Sequence, residues 1–335
     1  MTVRVGIIGL GFMGRTHLAA YRAAAAAGLD VRVVAACDVN IDRVASARGG
    51  NLATGQTIDL EGVRCTSEIQ ELVKDPEIDA LSICTPTDTH VALAVAALEA
   101  GKHVLVEKPV ALNPEDVRTV RDAAERSGQL CMPAMCMRFW PGWAWLRDAV
   151  QSGKYGKVRS ATFQRLGSAP DWNPSFYSDP ERSGGALFDL HIHDADFIYW
   201  CFGAPQAVRS TGGVTHVTTQ YTFVNGPAHV VAEGGQDHAP GFGFRMRYSV
   251  AFEQATAEFD LGRTPQLLLY RNGGSETIST DGPSGYEAEV DHFVRAINAK
   301  GWRSPLRATL ADAEDVTRIL QAERRSTLDG TVERL

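Results

Sequence analysis

The sequence predicts two domains: an α/β domain on a doubly wound parallel sheet, then an α+β domain with a large, mostly antiparallel, open-faced sheet. Three observations predict it. Strand-like and helix-like runs alternate over the first 130 or so residues, as crossover helices between parallel strands require. Beyond residue 135 the rhythm changes, and from 206 to 279 strand-like runs follow one another with little helix between them. The chain has 335 residues, more than one hydrophobic core usually serves. The expected division is 1–130 and 131–335, with the last helices able to pack back on the first domain.

The first element is an apolar run, residues 3–10, read as a strand; it carries Gly9-Leu10-Gly11-Phe12-Met13-Gly14 at its end and leads into an Ala-rich helix. A strand, G-x-G-x-x-G and a helix in that order suit a dinucleotide's pyrophosphate. Gly9 permits the tight turn, Gly11 lets backbone approach the phosphates, and Gly14 lets the helix pack close on the strand. The helix start offers N–H groups and the positive end of its dipole to the anion. Val31 to Cys37 reads as the second strand, and Asp38 stands at its carboxyl end, 24 residues beyond Gly14, close to the spacing expected of the ribose-binding acid. This is a Rossmann pattern, with Gly9, Gly11, Phe12, Met13, Gly14 and Asp38 as cofactor contacts.

The stretch 49–62, rich in Gly and Thr, reads as an irregular surface insertion. Residues 67–74 are helical, with Ser67 as N-cap. Ala80 to Cys84 is a continuous apolar strand of the kind covered on both faces. Val91 to Ala100 is a helix stopped by Gly101, and His103 to Val106 the next strand. Asn113-Pro114 opens a helix that Gly128 ends, and Leu130 to Ala134 is a further strand. In the second half, Pro141 to Ser152 is a Trp-rich amphipathic helix, Val158 to Leu166 a strand, 167–183 a polar, aromatic loop, and Gly184 to Trp200 a helix. Strands follow at Val214–Val224, His229–Ala232, Phe242–Phe252, Thr256–Leu261 and Gln266–Tyr270. Helices at Tyr286–Ala299 and Thr309–Arg324 close the chain. Helices cover one sheet face, and an open apolar face would mark a subunit interface, so a homodimer or homotetramer through this sheet is expected.

Composition narrows the classes further. A net charge of −7 argues against nucleic acid or an anionic membrane as partner. No apolar run approaches a membrane span, and the N-terminus lacks a secretory pattern. Six scattered cysteines read as reduced core thiols of a cytoplasmic protein, and the Cys131/Cys136 spacing fits no common zinc pattern.

Four motifs in order make the chain resemble, over nearly its full length, the family of glucose–fructose oxidoreductase, inositol dehydrogenase and the rhizopine-catabolism proteins (Gfo/Idh/MocA). Val106-Glu107-Lys108-Pro109 looks like its Glu-Lys-Pro signature. Gly184-Gly185-Ala186-Leu187-Phe188-Asp189-Leu190-His191-Ile192-His193-Asp194-Ala195-Asp196 is similar to its second signature. Cys84-Thr85-Pro86-Thr87 with His90 matches the turn after the fourth strand, and Met137-Arg138-Phe139-Trp140-Pro141 resembles the segment entering the second domain. The resemblance implies an NAD(P)-dependent dehydrogenase or reductase acting on CH–OH groups of a sugar, sugar derivative or cyclitol. Thr85, Pro86, Thr87, His90, Glu107 and Lys108 would contact the cofactor, and Lys108, His193 and Asp189 would be catalytic. Substrate contacts would be Arg138, Asp171, Trp172, Asp189, His193 and Asp196.

The residues support these roles on their own terms. Ligands of open parallel sheets bind off the carboxyl ends of strands, where Thr85–Thr87 and Glu107–Lys108 fall. Lys108, before a proline, has a restricted backbone. Asp189 and His193 are four apart and share a helix face, as do His193 and Asp196 at three. An imidazole titrates near neutrality and suits exchange of an alcohol proton. His191, two residues from His193, points about 200° away on a helix, which sets aside a shared metal; it reads as a neighbour of the site, and no metal is expected. Asp171, Trp172, Phe176 and Tyr177 could offer aromatic faces and an acid to a polyhydroxylated ring, or could pack as a small core. Inositol dehydrogenase looks to have two adjacent arginines where Met137 precedes Arg138 here, so one substrate-binding arginine has no counterpart. Asp38 favours NAD(H), while Arg43 near the adenine edge leaves NADP(H) open. Rival readings are a non-catalytic, NAD(H)-responsive regulator of the same fold, a metal-dependent hydrolase using the His-x-His segment, and a dehydrogenase of an amino-acid pathway.

Overall fold

A computed structural model describes residues 2–41, 58–171, 173–299 and 305–335. The chain forms two compact units, Met1–Cys136 with Ser284–Glu314, and Met137–Pro283 with Asp315–Leu335.

The first unit is built on six parallel strands in the order β3-β2-β1-β4-β5-β6, where β1 is Val3–Ile8, β2 Val31–Cys37, β3 Arg64–Thr66, β4 Ala80–Ile83, β5 His103–Glu107 and β6 Cys131–Ala134. Every residue of β4 and β6 is buried, so no alternation of apolar and polar residues develops along them. The order reverses between β1 and β4, the switch point where such sheets hold ligands. Helix α1 (Phe12–Ala26) packs on α9 (Gly285–Asn298), and α3 (His90–Glu99) on α4 (Pro114–Ser127). Local chemistry sets the ends of these helices. Asn113 caps α4 by accepting from the Asp116 N–H at 2.9 Å, Pro114 opens it, and left-handed Gly128 stops it. A capping box of Ser284 and Glu287 starts α9.

The second unit carries nine strands in the order β14-β13-β12-β11-β7-β10-β9-β8-β15, where β8 is Ala207–Gly212, β9 His216–Thr222, β11 Arg245–Phe252, β12 Thr256–Asp260, β13 Leu267–Arg271, β14 Gly274–Ile278 and β15 Glu333–Arg334. All neighbours are antiparallel except β7 (Val158–Ser168) and β10 (His229–His238). The inner face packs around fully buried Trp143 of α5 (Pro141–Ser152). Its ring meets Phe197 edge-on at 4.8 Å and Tyr248 at 5.3 Å. Tyr248 donates its hydroxyl to the Gly142 carbonyl at 2.8 Å, and a Cβ at Gly142 would stand 2.8 Å from the Phe259 ring.

The sequence expectations need several corrections here. The outer sheet face is mainly polar, carrying Thr162, Gln164, Gln220, Glu233, Arg247, Ser249 and Glu258 around the scattered apolar Val231, Leu268 and Tyr270, so it is not the continuous apolar face expected. Strands β3, β8 (Ala207–Gly212) and β14 (Gly274–Ile278) have no counterpart in the sequence reading, being short, polar or exposed. None of the six cysteines forms a disulfide, but Cys65 is exposed rather than in the core. Among the described residues no helix is long and apolar enough to cross a membrane. Most of the expected 49–62 insertion lies outside the described residues.

Candidate active site

In the first unit the expected cofactor residues gather at the carboxyl ends of β1, β2, β4 and β5. Gly9 has φ +88°, and a Cβ there would stand 2.7 Å from the Cys84 carbonyl oxygen. At Gly14 a Cβ would lie 1.8 Å from the Gly9 oxygen, so the helix can sit this close only without a side chain. Gly11, exposed, has nothing within 4 Å of a Cβ, and as N-cap of α1 it supplies no side-chain cap. Phe12 and Met13 open the helix, half-exposed. The helix start therefore keeps N–H groups for an anion. Asp38 is tied to this turn: its carboxylate accepts from the Leu10 N–H at 2.8 Å and from the Asn40 N–H at 2.8 Å. A carboxylate has about four lone-pair positions, which leaves acceptors for two ribose hydroxyls. The uncapped helix, the open glycine and the oriented acid fit an NAD pyrophosphate and ribose. Arg43 lies outside the described residues.

After β4, Thr85 and Thr89 share a hydrogen bond of 2.6 Å, Thr89 donates to the Pro86 carbonyl at 2.7 Å, and Thr87 is buried. Two expected cofactor contacts, His90 and Glu107, are buried and brace the turns. His90 places its ring nitrogens 2.9 Å from the Pro109 carbonyl oxygen and 2.8 Å from that of Thr85, joining the turns after β4 and β5. Glu107 meets the Nε2 of fully buried His17 at 3.0 Å and accepts from the Lys108 N–H at 3.1 Å. His17 also contacts Ser82, which bonds the Tyr21 hydroxyl at 2.9 Å. This buried chain joins α1 to the residue before Lys108; its partners lie far apart in the chain, and spacing alone does not announce it. From Val104 to Ala111 only Lys108 is not buried. It precedes Pro109 through a cis peptide bond.

The second unit sorts its expected residues the same way. Gly184 and Gly185, both at positive φ, lead into a π-helical turn, Leu187–His191, which continues as α8 (Ile192–Phe202). π-turns are rare and concentrate at functional sites. From Gly185 to Ile198 every residue is buried except Asp189 and His193, which are half-exposed. They stand one turn apart, on the face opposite His191.

Three more residues of these motifs are buried. Arg138 and Asp196, expected to touch substrate, are each only 1% exposed and bind each other: Arg138 donates from Nε at 3.0 and 3.1 Å and from Nη2 at 2.6 Å. His191, read as a neighbour of the site, is fully buried with its Nε2 2.8 Å from the Glu323 carboxylate. Asp171 is exposed in its loop, Trp172 lies outside the described residues, and Phe176 is buried beneath Tyr177 and Arg182. Among the described residues no group of three or more His, Cys, Asp or Glu is placed to hold a metal ion.

Comparison with known proteins agrees with this architecture. Residues 3–135 match the family described as an oxidoreductase family with an NAD-binding Rossmann fold, and residues 143–256 match the GFO/IDH/MocA C-terminal domain. The chain belongs to the Gfo/Idh/MocA oxidoreductase family. It is 34% identical to an inositol 2-dehydrogenase of Rhizobium meliloti (strain 1021) over 64% of this chain and 59% of that protein. It is 30% identical to a scyllo-inositol 2-dehydrogenase (NAD(+)) of Bacillus subtilis (strain 168) over 89% of this chain and 78% of that one. The chain spans about two fifths to three fifths of the length of the first curated relatives it matches. A levoglucosan dehydrogenase solved with NADH and levoglucosan has a TM-score of 0.84 over 100% of this chain and 99% of its own, at 23% identity, a likeness of fold. The first unit of this family member is thus an NAD-binding Rossmann domain.

Proposed function

We propose that the protein is an NAD(H)-dependent oxidoreductase interconverting a secondary alcohol and a ketone on a sugar, sugar derivative or cyclitol. The observation that carries the reading is the selective exposure of Asp189 and His193 in an otherwise buried stretch, in a member of a family of dehydrogenases. Bound NAD supplies a nicotinamide ring that accepts or returns a hydride. Gly9, Gly11, Gly14 and the start of α1 hold the pyrophosphate, and Asp38 takes the adenosine ribose hydroxyls. Lys108 donates a hydrogen bond to the reacting oxygen and offsets its developing negative charge. His193 takes the alcohol proton, or returns it in reduction, and Asp189 orients the imidazole or accepts from a neighbouring hydroxyl.

The charge pattern favours an uncharged polyol. Arg138 is committed to Asp196 and Arg165 to Asp194, so the accessible charge of this stretch belongs to Asp189 and His193. We further infer a homodimer or homotetramer through the outer sheet face. Because that face is polar, salt should weaken the association. Six thiols, none of them in a disulfide, support a cytoplasmic setting. The test of activity is a panel of cyclitols, aldoses, anhydrosugars, uronates and sugar phosphates with NAD and NADP, followed by cofactor absorbance. Turnover of a neutral polyol with NAD is expected. Tight NADH binding with no turnover across the panel would favour a non-catalytic regulator.

A further inference from the structure

We propose that His191 is a positioning residue: by fixing the π-turn Leu187–His191 it sets the directions in which Asp189 and His193 project. The inference rests on the reading of those two residues given above. A π-turn is not the conformation that helix propensity selects, so something must hold it. Here it is held at both ends. At its start the Ala186 N–H donates to the Val214 carbonyl at 2.8 Å, and a Cβ on Gly185 would stand 2.5 Å from that same oxygen. Its last residue is His191.

The His191 ring is fully buried, with Nε2 2.8 Å from Glu323 on α10 (Leu310–Asp329) and 3.0 Å from the Tyr221 hydroxyl on β9 (His216–Thr222). Glu323 also accepts from the Thr219 hydroxyl at 3.0 Å. Gly234 on β10 makes room, since a Cβ there would lie 2.8 Å from the His191 Cβ. Two residues before His191 stands Asp189, and two residues after it stands His193. A two-residue step turns a helical side chain by roughly 160–200°, so a ring anchored inward sends both neighbours outward. Burial alone would lower the imidazole's pKa, and Glu323 at contact distance raises it above the ordinary value. The other charged groups that act on the ring are Asp194, which raises it, and Arg165, which lowers it. A buried, directional pair specifies one ring orientation where an apolar contact would tolerate several.

The test uses the full chain with two substitutions, Glu323→Gln and His191→Phe. Glu323→Gln keeps the shape of the side chain and removes its charge, so it remains informative if His191→Phe does not fold. The readings are kcat and KM on the best neutral polyol, NADH affinity by fluorescence, and the His193 imidazole titration followed by NMR in cofactor-free protein. Glu323→Gln should lower kcat by about tenfold with unchanged NADH affinity, the scale of a sub-ångström misplacement. It should also move the His193 titration measurably, as Asp189 shifts relative to the ring. A lower melting temperature with unchanged kcat and an unmoved titration would overturn the proposal. If His193→Ala retained turnover, the functional reading would fail instead, and the titration would still decide whether His191 positions this face.

Discussion

Arg138 and Asp196 offer the sharpest separation of structure from function. Both side chains are 1% exposed, and their three contacts run from 2.6 to 3.1 Å. Asp196→Leu leaves the Arg138 guanidinium buried without its counter-charge, which typically costs about 3–5 kcal/mol. A unit of this size loses roughly 2–4 °C of melting temperature per kcal/mol, so the drop should be about 6–20 °C. Replacing both partners, Arg138→Met with Asp196→Leu, removes the stranded charge and should return stability to within about 2 kcal/mol of the parent. Calorimetry on the parent, single and double variants reads these shifts. The folded double variant should keep kcat/KM on its polyol within a few-fold, because the pair is structural. A hundredfold loss in a double variant of parental stability would overturn the structural role and restore Arg138 as a substrate contact.

Two further outcomes follow from the first unit. Asp38→Ala removes both a ribose acceptor and the acceptor of the Leu10 N–H, so NADH affinity measured by fluorescence titration should fall at least about tenfold, and NADPH affinity much less. Asp79 accepts from Arg4 through Nε at 2.9 Å and Nη2 at 2.8 Å, and this guanidinium holds its carboxyl below the ordinary aspartate range. The folded state then binds its proton later than the unfolded chain, so the contribution is present above the unfolded value near pH 4 and is lost as pH falls through the depressed one. Asp79→Asn should lower stability at neutral pH, and the parent and variant curves should converge in acid, as read by denaturant titration across pH.

What the sequence disclosed, and what it hid, follows from the range of the interactions. The glycine turn was legible because Gly9 and Gly14 answer constraints within a few residues: a positive φ and a helix lying on its own preceding loop. Helix ends at Asn113 and Gly128 were legible for the same reason. Strand β14 at the sheet edge, and β8, which is flanked on its outer side only by the two-residue β15, were not, because both carry polar residues and show little alternation. The π-turn was hidden because an Asp and a His four apart share a face in either kind of helix. The burial of His90, Arg138, Asp196 and His191 was hidden by one common cause. Their partners, Pro109, one another and Glu323, lie elsewhere in the chain, and a polar residue inside a motif looks the same whether it faces a ligand or a buried counter-charge. The half-exposure of Lys108, Asp189 and His193 amid buried neighbours separates the two cases, and only coordinates supply it.

The central claim is that Lys108 and His193 act in proton handling and charge stabilisation while the glycine turn and Asp38 bind the cofactor. Its most direct measurement is the turnover of Lys108→Met and His193→Ala beside their NADH affinity. A loss of kcat of at least about a hundredfold is expected in each variant, with NADH affinity changed less than about threefold. Full turnover in either variant, or loss of NADH binding that accounts for the lost activity, would contradict it.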